Sequence, residues 1–109
     1  MADGVRWTVQ DRDGREVYLT QERWEHILEP TNHPEMENDE EYLKQTIQQS
    51  RRQQDLLNPQ KYTYTKAFNH LTLDNTHIVA VVLFRYREQG NRPPVANNYI
   101  VTAYQKEIG

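Results

Sequence analysis

The feature that most constrains this fold is one continuous apolar run at residues 78–84, Ile-Val-Ala-Val-Val-Leu-Phe. The run is far too short to cross a bilayer, because a spanning helix needs about 20 apolar residues. Both of its faces are apolar, so it predicts a strand over residues 77–87 at the centre of the sheet. The sequence therefore predicts a sheet-containing globular protein with no membrane partner.

The segments before this run predict a hairpin followed by two helices. Residues 7–9 and 17–19 are short apolar stretches separated by Asp13-Gly14, a pair that is typical of tight turns. Thr20 is placed to cap a helix that runs to about Glu29. A second helix is expected from Asn38, which stands at capping-box spacing from Glu41, to about residues 51–52.

After the second helix the pattern changes to period two. We expect strands at residues 61–66, 71–73 and 98–105 beside the central strand, joined by short loops that favour antiparallel pairing. The expected fold is therefore α+β: two N-terminal helices packed on one face of a mostly antiparallel sheet of four to five strands. The whole chain, residues 1–109, is predicted to form one domain with the other sheet face open to solvent or ligand.

The cysteine count and the charge distribution restrict the function. The chain has no cysteine, which excludes disulfides, thiolate metal sites and a cysteine nucleophile and fits a reducing, cytoplasmic compartment. Residues 1–41 carry twelve acids and four arginines, whereas residues 42–109 carry nine bases and four acids. The net charge of −3 thus hides a basic half that could bind a polyanion, although folding could equally redistribute these charges over a solvated surface.

Strand alternation predicts which side chains face the open side of the sheet. In the last strand Thr102 and Tyr104 would share that face, because Val101 and Ala103 suit packing under helices. Arg85 would face the same way from the central strand. A guanidinium, a hydroxyl and a phenol together could cradle a phosphate. The alternative is an ordinary polar, solvated sheet face.

Two histidines are candidates for proton transfer. His26 lies off the apolar stripe of the first helix, and His33 follows in a loop that Pro34 restrains. Imidazole can accept and donate a proton near neutral pH, as general acid–base catalysis requires. The alternative is that neither has a role. With Glu35 they could in principle bind zinc, but their spacing matches no standard zinc pattern, so we expect no metal or cofactor.

Several short motifs together resemble the phage-associated branch of the barnase–colicin–RelE-like ribonuclease superfamily. They are the strand end at residues 17–20, the helix segment Arg23-Trp24-Glu25-His26-Ile27, the tripeptide His33-Pro34-Glu35, the apolar strand, and the last strand Ile100-Val101-Thr102-Ala103-Tyr104. The resemblance implies a barnase- or RelE-like domain that acts as a small metal-independent endoribonuclease, often a toxin or effector. RNA and a protein inhibitor or immunity partner are its implied partners.

The resemblance also implies roles for individual residues. His26, His33, Thr102 and Tyr104 would be catalytic, with one histidine removing the proton of a ribose 2′-hydroxyl and the other, or Tyr104, protonating the leaving oxygen. The products would be a 2′,3′-cyclic phosphate and a 5′-hydroxyl. Substrate binding would involve Arg23 and Glu35 from these motifs. Arg85 and Lys61 are also assigned to substrate binding, from their strand positions rather than from a motif. The low net charge is unusual for such an enzyme, so the alternative is an inactive relative that binds protein or RNA.

Overall fold

The apolar run lies in the shorter of the two central strands of a six-stranded sheet. The computed structural model describes residues 4–108. In chain order the elements are β1 (Val5–Gln10), β2 (Glu16–Thr20), α1 (Gln21–Ile27), a 3₁₀ turn (Pro34–Asn38), α2 (Glu40–Gln49), β3 (Gln53–Gln54), β4 (Lys61–Ala67), β5 (His77–Gln89) and β6 (Arg92–Lys106). No helix within residues 4–108 is long and apolar enough to span a membrane.

The predicted fold class is wrong. The sheet has six strands in the order β1-β2-β6-β5-β4-β3, and β2 pairs with β6 in parallel while the other pairs are antiparallel. The two helices lie between β2 and β3 rather than at the N-terminus, and strands hold about twice as many residues as helices. The molecule is therefore dominated by a mixed sheet and is not barnase-like.

Two features of the sheet give no sequence signal. β3 consists of two glutamines, so no apolar pattern marks it, and it adds an edge strand beside β4. The parallel contact between β2 and β6 rests on one pair, Tyr18 with Tyr99. These two residues are far apart in the chain, and local periodicity carries no information about such a pairing.

The β5–β6 hairpin is longer than predicted and extends beyond the core. β6 begins at Arg92 and includes Pro93 and Pro94, whereas the predicted strand began at residue 98. Proline is tolerated at the start of a strand, where fewer ladder hydrogen bonds are lost. The hairpin contributes to an elongated molecule of 51 × 29 × 24 Å.

Several predicted elements are confirmed. The β1–β2 hairpin turns at Gly14, whose φ of 87° is one that glycine adopts without strain. α1 begins after Thr20, whose Oγ1 accepts a hydrogen bond from the Arg23 amide at 3.0 Å. The strands at 61–66 and 77–87 lie within β4 and β5.

Two local predictions are wrong. Asp39, not Asn38, precedes α2, and no side chain caps the helix there. The expected strand at residues 71–73 is a turn, because His70 and Leu73 both adopt the left-handed backbone region. A residue with positive φ interrupts the extended backbone that a strand needs.

The core lies between the two helices and one face of the sheet. α1 contributes Trp24 and Ile27, and α2 contributes Leu43 and Ile47. The sheet side of the core is formed by Val17, Leu19, Tyr64, Ile78, Ala80, Val82, Ile100 and Ala103. The opposite face, which the helices leave uncovered, is called the open face below.

A β-bulge in β6 changes which residues face the core. Val81 pairs with Thr102 and Val82 pairs with Ile100, so Val101 is an extra residue in β6. A bulge shifts the alternation by one residue. Ile100 and Ala103 consequently both face the core, although simple alternation placed them on opposite faces.

One buried carboxylate connects the β1–β2 turn to β4 across the core face of the sheet. Asp11 is 5% exposed and accepts hydrogen bonds from the Tyr64 hydroxyl at 2.7 Å and the amides of Asp13 and Arg15 at 3.0 and 2.9 Å. Burial opposes ionisation of Asp11, but these hydrogen bonds outweigh it, so the pKa of Asp11 lies below its ordinary value. Burial and the same carboxylate raise the pKa of Tyr64.

Replacing Asp11 therefore tests how much this contact stabilises the fold. We expect Asp11→Asn to lower the free energy of unfolding by about 1.5–3 kcal/mol, because it removes hydrogen bonds to a charged acceptor. Asp13→Asn is the matched control: Asp13 is 59% exposed, so its loss should cost at most about 1 kcal/mol. Urea titration measures both values, and equal effects would contradict the assignment.

The same contact predicts a pH dependence. Because the pKa of Asp11 is lower in the folded state than its ordinary value of about 3.9, the stabilisation is present above about pH 4. It is lost as the pH falls through the folded-state pKa. Urea titrations at decreasing pH should show the wild-type and Asp11→Asn stabilities converging in acid, and a gap that stays constant would contradict this.

Candidate functional site

The open face of β6 carries a row of three polar side chains that contains two of the predicted catalytic residues. Tyr99, Thr102 and Tyr104 pair with Leu83, Val81 and Val79 of β5. From Tyr99 to Tyr104 the strand spans about 16 Å, at about 3.3 Å per residue. The segment from α1 to the 3₁₀ turn lies along this part of β6, which extends past the end of β2.

At one end of the row, His33 contacts both Glu35 and Tyr104. The rings of His33 and Tyr104 are 5.3 Å apart between centroids and tilted by 32°. His33 Nδ1 lies 3.6 Å from Glu35 Oε2, which is within ion-pairing distance when the imidazole is protonated. Both side chains are only partly exposed. A carboxylate beside Nδ1 can orient an imidazole and stabilise its charged form.

Backbone contacts and one buried side chain hold His33 in this position. The His33 amide donates to the Ile27 carbonyl at 2.8 Å, and the Met36 amide donates to the His33 carbonyl at 3.1 Å. Met36 is completely buried in the core, and Pro34 begins the 3₁₀ turn. The loop after α1 is thus anchored on both sides of His33.

Gln105 connects this loop to the end of β6. Its backbone amide donates to Glu35 Oε2 at 3.4 Å, and its side-chain amide donates to Asp39. Its Oε1 accepts from the Thr72 amide at 3.0 Å and from Asn75 at 3.1 Å. The Glu35 carboxylate therefore accepts a backbone hydrogen bond at the edge of β6, where a neighbouring strand would otherwise supply the acceptor.

At the other end of the row, His26 and Arg23 line a cavity of about 440 Å³ together with Tyr18 and Tyr99. The two tyrosine rings are 6.0 Å apart, and the Tyr18 hydroxyl donates to Asn97 at 2.8 Å. His26 Nδ1 lies 3.4 Å from Glu29 Oε1. His26 and His33 are thus placed beside different residues of β6, Tyr99 and Tyr104, rather than around one point.

Neither Arg85 nor Lys61 lies beside Tyr104. Arg85 is six residues along β5 from Val79, the partner of Tyr104, which corresponds to about 20 Å. Lys61 lies about 13 Å along the sheet from Tyr104, because it is four residues from Thr65, which pairs with Val79. Lys61 pairs with Leu83, and Leu83 pairs with Tyr99, so Lys61 is level with the Tyr99 end of the row, two strands away. The prediction that Arg85 joins Thr102 and Tyr104 in a phosphate cradle is therefore wrong.

Sequence reasoning missed three residues of the open face. Lys106 lines the surface beside Tyr104, and its spacing of two from Tyr104 could have revealed it. Tyr18 likewise alternates with the buried Val17 and Leu19. Tyr99 could not have been found by alternation, because the bulge at Val101 reverses the phase.

No group of three or more histidine, aspartate or glutamate side chains within residues 4–108 is arranged to hold a metal ion. His26, His33 and Glu35 therefore form no metal-binding cluster there.

No known protein family, curated protein or solved structure matches this chain.

The contacts of Gln105 predict its importance for stability. Gln105→Leu removes the acceptor for the Thr72 amide and the donor to Asp39, so we expect the free energy of unfolding to fall by about 1–3 kcal/mol. Gln10→Leu is the control, because Gln10 is exposed on β1 and should change stability by less than about 0.5 kcal/mol. Thermal and urea unfolding measure both, and similar values for the two would contradict this role.

Proposed function

We propose that this protein is an endoribonuclease that needs no metal ion and cleaves RNA by attack of a ribose 2′-hydroxyl on the adjacent phosphate. The observation that carries the proposal is the contact of His33 with both Glu35 and Tyr104 on the open face. A histidine beside a carboxylate and a phenol supplies the groups that general acid–base cleavage requires. The resemblance of the His-Pro-Glu and Thr-Ala-Tyr segments to the ribonuclease superfamily supports the same reaction.

His33 is the base in this proposal. It removes the proton of the 2′-hydroxyl while Glu35 stabilises the resulting imidazolium. The carboxylate is itself held by the Gln105 amide, so the pair needs little reorganisation during the reaction. This choice favours His33 over His26, whose side chain lies at the other end of the row.

Tyr104 is the acid. The 2′-oxygen forms a bond to phosphorus, the bond from phosphorus to the 5′-oxygen breaks, and the Tyr104 hydroxyl gives its proton to that oxygen. The products are a 2′,3′-cyclic phosphate and a 5′-hydroxyl, and His33 returns the proton to Tyr104 through solvent. Thr102 on the same strand face and the Lys106 ammonium beside Tyr104 stabilise the charge on the phosphoryl oxygens.

Arg23 and His26 bind the substrate at the other end of the row. Their cavity, which Tyr18, Tyr99 and Glu22 also line, is large enough for a nucleobase, and tyrosine rings can stack on bases. A toxin or effector role and a protein inhibitor, which the resemblance implies, belong to the same proposal. So does a cytoplasmic location, which the cysteine-free sequence fits.

Rate measurements on a defined single-stranded RNA in EDTA test the proposal. Wild-type protein should cleave, and His33→Ala should lower the rate by about 10²–10⁴-fold, the usual contribution of a general base. Tyr104→Phe should cause a loss of similar size, since it removes only the proton donor. Glu35→Gln should lower the rate less than His33→Ala, because the imidazole remains.

Two controls make the result specific. His26→Ala should raise the KM more than it lowers kcat, because His26 binds rather than transfers a proton in this proposal. Arg12→Gln removes an exposed charge in the β1–β2 turn, away from the row, and should leave the rate unchanged. Equal, negligible cleavage by all proteins would reject the enzyme and favour a binding module, whereas activity that EDTA abolishes and zinc restores would indicate a metal-dependent hydrolase.

A further inference from the structure

A basic groove, separate from the row of Tyr99, Thr102 and Tyr104, lies on the outer half of the β5–β6 hairpin. It has a volume of about 410 Å³ and is lined by Arg15, Arg52, Gln60, Arg85, Tyr86 and Asn98, among others. None of the described residues that line it is acidic. This groove contains Arg85, the residue that the sequence placed at the reaction centre.

The guanidinium of Arg52 is held in the groove by aromatic rings. Its central carbon lies 3.9 Å from the ring centroid of Tyr62 and 4.6 Å from that of Phe84. The two rings form an edge-to-face pair 4.9 Å apart. Cation–π contacts fix the guanidinium without using its N–H donors, and no acceptor within residues 4–108 takes a hydrogen bond from the Arg52 side chain.

Arg15 and Arg85 differ in whether an acidic side chain neutralises their charge. Arg15 is paired with Asp11 and Asp13 at 3.2 and 3.0 Å, so its charge is largely compensated. Arg85 is exposed and makes no ion pair within the described part of the chain. Arg52 and Arg85 therefore both line the groove with guanidinium groups that have no hydrogen-bond or ion-pair partner within residues 4–108.

An exposed aromatic ring adds a second type of recognition. The Tyr86 residue is 77% exposed, although its neighbour of the same strand phase, Phe84, packs against the core. Guanidinium groups bind phosphates in a fork geometry, and an exposed tyrosine ring can stack on a nucleobase. A polyanion with flat bases satisfies both, whereas an acidic peptide would use only the arginines.

We propose that this groove binds single-stranded RNA at a site separate from the row of Tyr99, Thr102 and Tyr104. Arg52 and Arg85 contact phosphates, and Tyr86 stacks on a base. This inference goes beyond the proposed cleavage and does not require it, because binding here involves none of the residues that we assign to proton transfer.

Fluorescence anisotropy with a labelled single-stranded RNA, made resistant to cleavage by 2′-O-methylation, tests the site. Arg52→Gln and Arg85→Gln should each weaken binding by about tenfold, as expected for loss of a hydrogen bond to a charged group. Each should also reduce the slope of log affinity against log salt by about 0.7. Tyr86→Ala should weaken binding by about fivefold or more.

The matched control is Arg51→Gln. Arg51 is the exposed neighbour of Arg52 and does not line the groove, so the same charge change there should leave the affinity nearly unaltered. Arg52→Lys keeps the charge and should bind more weakly than wild type, because it loses the planar fork. Circular dichroism checks that every variant is folded, and Arg85→Gln on the exposed strand tests the site even if Arg52 variants unfold.

Three results would overturn the site. They are unchanged RNA affinity in the folded Arg85→Gln and Tyr86→Ala proteins, an equal loss in Arg51→Gln, and tighter binding of polyglutamate than of RNA. Absence of nuclease activity would reject the proposed function but leave this inference standing. Conversely, unchanged affinity in the groove variants would overturn this inference even in a protein that cleaves RNA.

Discussion

The extra residue at Val101 in β6 is the constraint on which the arrangement of the open face depends. Without this bulge, Ile100 and Ala103 could not both pack into the core, and one end of β6 would turn its polar residues inward. The bulge allows Tyr99 and Tyr104 to share the open face, so that one strand presents side chains to both the α1 cavity and the His33 loop. Bulges commonly redirect side chains near functional sites.

Short-range signals in the sequence correctly predicted the start of α1 and the turn of the first hairpin. Thr20 caps α1 because its hydroxyl satisfies a free amide, and Asp13-Gly14 turns the first hairpin; both depend only on neighbouring residues. The pairing of Tyr18 with Tyr99 and the two-glutamine β3 depend on the rest of the fold. The predicted sheet was therefore too narrow and lacked its parallel pair.

The candidate site was also predicted only in part from the sequence. His33, Glu35 and Tyr104 were singled out from the chain, and the folded protein places them in contact. Arg85 was assigned to the same site because it shares a strand face, but alternation gives no measure of distance along the strand. Tyr99 was missed, because its face depends on a bulge that strand alternation does not reveal.

The fold also explains how a chain with a net negative charge can offer basic surfaces. Several N-terminal acids are used in internal contacts: Glu40 binds Arg6 and Trp7, Asp11 binds Tyr64, and Asp39 binds Gln105.

The proposed 2′-hydroxyl attack is tested most directly on a DNA strand that contains a single internal ribonucleotide. The account predicts one cut, after that ribonucleotide, leaving a 2′,3′-cyclic phosphate that mass spectrometry identifies. Cleavage at deoxynucleotides, or a 5′-phosphate on the product, would contradict it.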